Sequence, residues 1–158
     1  MFVLAAAAPY LHGQSRRAVL VGIDVYNPDA GTRAQLLRES PGPLVQRPAV
    51  EGDARYWRFE NLEGAVSDVH LMRAVLEDIG FRDFVVLTDQ DATAGAILQA
   101  LRKNLVDDAR PGDVRLFYYS GHGNHVRNRA SGERDQEDQT LVPADNWRNV
   151  PDIRDKEI

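Results

Sequence analysis

Residues 114–123 read VRLFYYSGHG: a largely apolar run, Val114–Ser120, that gives way to Gly121-His122-Gly123. A continuous apolar run bounded by charge suits a strand buried on both faces. Two other segments have this character, Arg17–Asp24 (RAVLVGID) and Val85–Thr88 (VVLT). A helical pattern precedes each of the two later runs. Leu62–Ile79 sets Ala65, Val69, Met72, Leu76 and Ile79 at steps of three and four, with Gly80 placed to end the helix. Thr93–Val106 sets Ile97, Leu101 and Leu105 on one face; Asp91 or Thr93 can cap it, and Pro111-Gly112 lies beyond its end. Strand, helix, strand, helix, strand implies right-handed parallel crossovers and an α/β class fold with helices on both faces of a mainly parallel sheet. Ligands of such sheets bind outside the carboxyl ends of the strands. That directs attention to Asp24–Asn27, Thr88–Gln90 and Ser120–His125.

His122 is the residue there best suited to chemistry. Its two glycine neighbours leave little bulk around it, so the chain can turn and a substrate can approach. Imidazole is the side chain whose unperturbed pKa best suits proton transfer near neutral pH. The plainer alternative is a loop histidine with no task. His125 follows at three residues, but a zinc site needs three or four ligands and the chain has no thiolate to supply one. His70 reads as a helix-surface residue, and His12 belongs to the atypical N-terminus. Asp68, near the start of the first helix, is either a carboxylate favoured by the helix dipole or an acid that selects a cationic substrate. The acidic run Glu133, Asp135, Glu137 and Asp138 reads as a solvated loop or an oxygen-rich calcium site, although its spacing is not that of an EF-hand.

Bulk properties narrow the function. With 43% hydrophobic residues in 158, the chain can form one domain around one core. Its net charge is −5, and basic residues lie scattered among acids, so no nucleic-acid partner is expected. No run reaches the length of a membrane span. The chain has no cysteine, which removes disulfides and a cysteine nucleophile from these residues. Residues 1–15 begin with the apolar run Phe2–Ala8 and read as a signal-peptide remnant or a disordered start. Residues 16–158 read as the domain, interrupted by a proline- and glycine-rich loop insertion at about 27–61. The polar segment Asn124–Gln139 reads as solvated and flexible, Thr140–Pro143 as a short apolar step, and Asp152–Ile158 as the opening of another helix. A serine hydrolase is set aside because no G-x-S-x-G occurs.

Taken together, RAVLVGIDVY, LEGAVSDVHLMRAVLEDIGF, LFYYSGHGNHV and DQTLVPAD resemble the large-subunit region of caspase-like cysteine peptidases, and among them the metacaspases and their bacterial relatives. The resemblance runs from about Arg17 to Ile158, apart from the insertion. It implies a three-layer caspase-like fold and peptide-bond hydrolysis by a Cys–His pair. It makes His122 the catalytic histidine and Gly123 the donor of a backbone N–H to the oxyanion. Asp68 and Ser120 match positions lining the pocket for the residue before the cut, where an acid implies preference for Arg or Lys. Asp138 and Asp155 match positions of the family's calcium site. Lys156, however, stands where calcium-dependent members carry an acid. No cofactor is expected to be required, and the lysine argues against calcium.

The partner implied is a peptide or protein substrate. The nucleophile of caspase-type enzymes lies roughly 50 residues beyond the histidine, and 36 residues follow His122. The expectation is therefore an incomplete domain that needs its downstream part and exposes a sheet edge prone to association. The alternative is a non-catalytic caspase-like interaction module.

Overall fold

The computed structural model describes residues 15–40, 59–127 and 137–158. Sequence readings on the N-terminal segment with His12, on residues 41–58 of the insertion, and on Glu133 and Asp135 lie outside these residues.

Three parallel strands, β1 (Arg16–Gly22), β2 (Asp83–Thr88) and β3 (Val114–Ser120), form a sheet in the order β2-β1-β3. The central strand, β1, is the most apolar, and Ala18, Val19, Leu20 and Val21 are wholly buried. Its side chains alternate between two cores, as the strand pleat requires. Val19, Val21 and Ile23 pack with Ile97, Ala100 and Leu101 of helix α3 (Ala94–Leu101). Ala18 and Leu20 pack with Val69 and Leu76 of helix α2 (Ala65–Asp78). (A further helix, α1, spans Ala30–Glu39 inside the insertion.) The two crossovers thus put α2 and α3 on opposite faces, giving the three layers expected of right-handed connections.

Helix α2 is fixed at both ends. The Asp24 carboxylate, just past β1, accepts from the amides of Ala65 (2.7 Å) and Val66 (3.3 Å). At the other end Gly80 has φ of 93°, its N–H donates to Glu77 O, and Phe81 N–H donates to Leu76 O. This is a Schellman termination, and buried Phe81 packs in the same core as Leu76. Thr93 caps α3, its hydroxyl accepting from Ala96 N at 3.2 Å, while Asp145 accepts from Ala94 N at 3.0 Å. Burial raises the Asp145 carboxyl above the ordinary carboxylate range.

Four sequence readings need correction. The insertion is not all loop: α1 (Ala30–Glu39) forms within it, with Asp29 accepting from Gly31 N and Thr32 N. None of its residues is buried, so it has no apolar stripe to signal it. The second helix does not continue regularly to Val106; after Leu101 it widens into a π-helical turn, Arg102–Asp107. The two ends of the supposedly solvated Asn124–Gln139 segment are strands. β4 (Gly123–Arg127) pairs antiparallel with β5 (Glu137–Leu141), and β5 pairs with β6 (Ile153–Arg154). Asp152–Ile158 is not helical throughout: it supplies β6 first and then a 3-10 turn at Asp155–Glu157, where Arg154 N donates to Glu157 Oε2 at 2.8 Å. The pattern misled because polar groups on this second sheet satisfy one another. The Asp152 carboxylate alone accepts from Asn124, Thr140 and Asn146.

Val142–Ala144 joins the second sheet to the main core. Val142 and Ala144 are buried in the α3-side cluster, and Ala144 N donates to Ala92 O at 3.0 Å. Strand β3 pairs with β1 on one side and has no strand on its other side among the described residues.

The tightest contact between layers is at Gly22, where a Cβ would lie 2.6 Å from Ala65 O and 2.7 Å from Val69 Cγ2. Gly22→Ala is expected to destabilise the fold by about 1–3 kcal/mol through overpacking. Gly95, inside α3, has open space at its Cβ. Gly95→Ala should be neutral or stabilise by up to about 1 kcal/mol. Urea unfolding of the two variants checks these opposite signs.

Candidate active site

The site forms where β1 and β3 end side by side, Gly22 registering with Ser120. The chain leaving β1 is held by two side chains. Asp89, at φ of 44° in the turn after β2, accepts from Asp24 N (2.8 Å) and Val25 N (2.9 Å) through one oxygen. Asn61 accepts from Tyr26 N (3.0 Å) and Asn27 N (2.8 Å). Leu62 N donates to Asp24 O at 2.8 Å, so Phe59–Leu62 is drawn alongside the β1 exit.

Gly121 then turns the chain out of β3. A Cβ there would lie 2.3 Å from the Tyr26 hydroxyl and 2.7 Å from the Tyr119 hydroxyl. Two phenols converge on this residue, and only glycine leaves them room. The His122 amide donates to Tyr26 Oη at 2.8 Å, and its carbonyl accepts from Val142 N at 3.0 Å. The imidazole is half-buried and packs edge-on against Tyr26 (centroids 4.7 Å apart) and beside Phe59 (5.0 Å). It is not sealed in the core.

His122 Nε2 lies 2.9 Å from Glu60 O. A carbonyl can only accept, so the proton of the neutral ring sits on Nε2 and the lone pair on Nδ1. A ring held this way offers one basic nitrogen in a defined orientation.

The structure brings the two expected pocket residues together. Asp68 stands exposed in the first turn of α2, and Ser120 Oγ donates to its Oδ2 at 2.9 Å. Its other oxygen, Oδ1, accepts no hydrogen bond among the described residues and is open to a cationic ligand. Gly123 opens β4 opposite Leu141 and is exposed. Since Val142 N already bonds His122 O, the next pair along the ladder, Gly123/Leu141, is of the non-hydrogen-bonded kind. The Gly123 N–H consequently points away from β5.

The remaining predicted site residues lie elsewhere. Asp138 is 1% exposed, not solvated; Arg154 Nη1 approaches its Oδ2 (3.3 Å) and the Lys156 ammonium contacts its Oδ1. Asp155 is exposed in the 3-10 turn. Two cations on one carboxylate make an ion-pair site, and a divalent cation would have to displace them. No group of three or more His, Cys, Asp or Glu suited to a metal occurs among the described residues. His125 is exposed, 3.7 Å from Glu137 Oε2, and His70 is exposed on α2.

Sequence reasoning gave no role to Phe59, Glu60 or Asn61, nor to Tyr26 within the Asp24–Asn27 stretch it pointed to. Tyr26 and Asn61 bracket the insertion, and their adjacency depends on the loop returning to its start. The Glu60 carbonyl has no residue signature at all, because any side chain could stand there.

Comparison with known proteins agrees with this architecture. The profile described as "Metacaspase, peptidase C14 domain" matches residues 52–158. Metacaspase-1 of Mycosarcoma maydis is 30% identical over 141 residues, covering 84% of this chain and 35% of that protein. Metacaspase-2 of Trypanosoma brucei brucei is 37% identical over 115 residues, 66% of this chain and 32% of its own. Metacaspase-9 of Arabidopsis thaliana is 31% identical over 130 residues, 76% and 40% respectively. The chain thus spans about a third of the length of these curated relatives. A crystal structure of a Geobacter sulfurreducens protein superposes with a TM-score of 0.58 at 20% identity, covering 90% of this chain and 42% of that one; it shares the fold. By its matching profile and these relatives, the chain belongs to the metacaspases, peptidase family C14.

Proposed function

We propose that this chain is the histidine-bearing part of a cysteine endopeptidase that cuts after Arg or Lys. The observation that supports the reading best is the bond from His122 Nε2 to Glu60 O, which leaves Nδ1 as the base. The thiol must come from polypeptide outside these 158 residues, which hold no cysteine. Nδ1 takes the thiol proton, and the sulfur attacks the scissile carbonyl. The resulting oxyanion is held by the Gly123 N–H. The His122 imidazolium then protonates the departing amine, leaving a thioester. Water, deprotonated by the same ring, hydrolyses the thioester and regenerates the thiol.

Asp68 carries the selectivity. Its free oxygen would accept from the guanidinium or ammonium of the residue before the cut, while Ser120 fixes the other oxygen. An acidic side chain at that place would meet a like charge.

The absent cysteine favours a second reading, a non-catalytic caspase-like module acting through its surface. An inert complete gene product, unable to cut any Arg, Lys or Asp peptide, would decide for it.

In the complete gene product, His122→Ala is expected to lower kcat by about 10²–10⁴-fold on an Arg peptide. Activity that survives this change contradicts the role given to the ring. Asp68→Asn keeps the shape and removes the charge. It should lower kcat/KM on Arg and Lys peptides by about 10–100-fold, the worth of a charged hydrogen bond. An unchanged Arg/Lys preference would remove Asp68 from the pocket.

A further inference from the structure

We infer that Tyr26 and Tyr119 are positioning residues for His122, joined by hydrogen bonds into a closed loop that leaves its backbone amide and returns to its own carbonyl. The inference rests on the reading of His122 as general base.

The hydrogen count allows one order only. The His122 N–H must donate, so Tyr26 Oη accepts it at 2.8 Å. Tyr26 Oη and Tyr119 Oη lie 3.0 Å apart. Tyr119 Oη also lies 2.9 Å from His122 O and 2.8 Å from Val142 O, neither of which can donate. The single Tyr119 proton must therefore serve the carbonyls, and the Tyr26 proton must go to Tyr119. In this order the Tyr119 proton is shared between Val142 O and His122 O, the latter also accepting from Val142 N, and the peptide groups on both sides of His122 are gripped.

The same residues also reach the ring. Tyr26 packs its own ring on the imidazole, and its backbone N–H is bound by Asn61, the neighbour of Glu60. Backbone and ring supports of His122 thus share one residue. Three chain segments meet here: the β1 exit, the β3–β4 turn and the β5 exit at Val142. Tyr26 is 4% exposed, and burial first of all pushes both phenols above their ordinary range. They stay protonated wherever an imidazole can serve as base, so the loop persists through that range. A phenylalanine would fill the same space, so packing alone does not call for either hydroxyl.

Tyr26→Phe keeps the ring contact and opens the loop, and it separates the two roles. In the 158-residue chain the His122 amide should exchange with solvent about tenfold faster or more, the worth of one hydrogen bond, with the melting midpoint lowered by only a few degrees. In the complete gene product kcat should fall about tenfold while KM moves less than about twofold, as expected for a misplaced base. Should Tyr26→Phe not fold, Tyr119→Phe breaks the loop at another bond and is expected to act alike. Unchanged His122 exchange in a folded variant overturns the inference, as does unchanged kcat in a protein whose activity requires His122. Loss of the requirement for His122 itself would sink the peptidase reading instead, and amide exchange would then decide the loop alone.

Discussion

A backbone carbonyl has no proton to give, and that asymmetry gives the 2.9 Å approach of Glu60 O to His122 Nε2 its consequence. It selects the tautomer, orients the ring and leaves one nitrogen basic. A side-chain acceptor could do the same, but it would bring rotamer freedom or charge. The carbonyl is held by its chain position, which Asn61 and Leu62 secure against the β1 exit. The chemistry proposed for the histidine is thus set by a loop that returns from a long insertion.

The rest of the fold serves that return. Gly22 lets α2 press against β1, and the Asp24 carboxylate closes the helix N-terminus, a cap worth about 1 kcal/mol. Asp89, in a conformation uncommon for a non-glycine residue, holds the two amides after β1. The same arrangement brings Asp68, on the first turn of α2, within hydrogen-bond reach of Ser120 at the end of β3. The acid proposed for the pocket, on α2, and the histidine-bearing turn after β3 therefore lie together beside the carboxyl ends of the strands, where open α/β sheets place their ligands.

The sheet was legible in the sequence because its three strands are continuous apolar runs and its two crossover helices carry apolar stripes. Gly80 announced a helix end that the structure keeps, and of the two caps the sequence offered, Asp91 and Thr93, the structure uses Thr93. His122 stood out by its glycine neighbours and its place at a strand end. The second sheet was not legible: its strands carry Asn124, Asp138 and Thr140, whose polarity is neutralised by partners distant in sequence. Helix α1 buries nothing and so left no period to read. Tyr26 and Glu60 could not be assigned, since the return of a loop to its origin is a tertiary event.

The most direct measurement is the pair of ¹⁵N chemical shifts of the His122 imidazole in the neutral ring. The account predicts a protonated Nε2 and an unprotonated Nδ1, with little averaging between tautomers. A ring protonated on Nδ1, or one that exchanges evenly between the two forms, would contradict it.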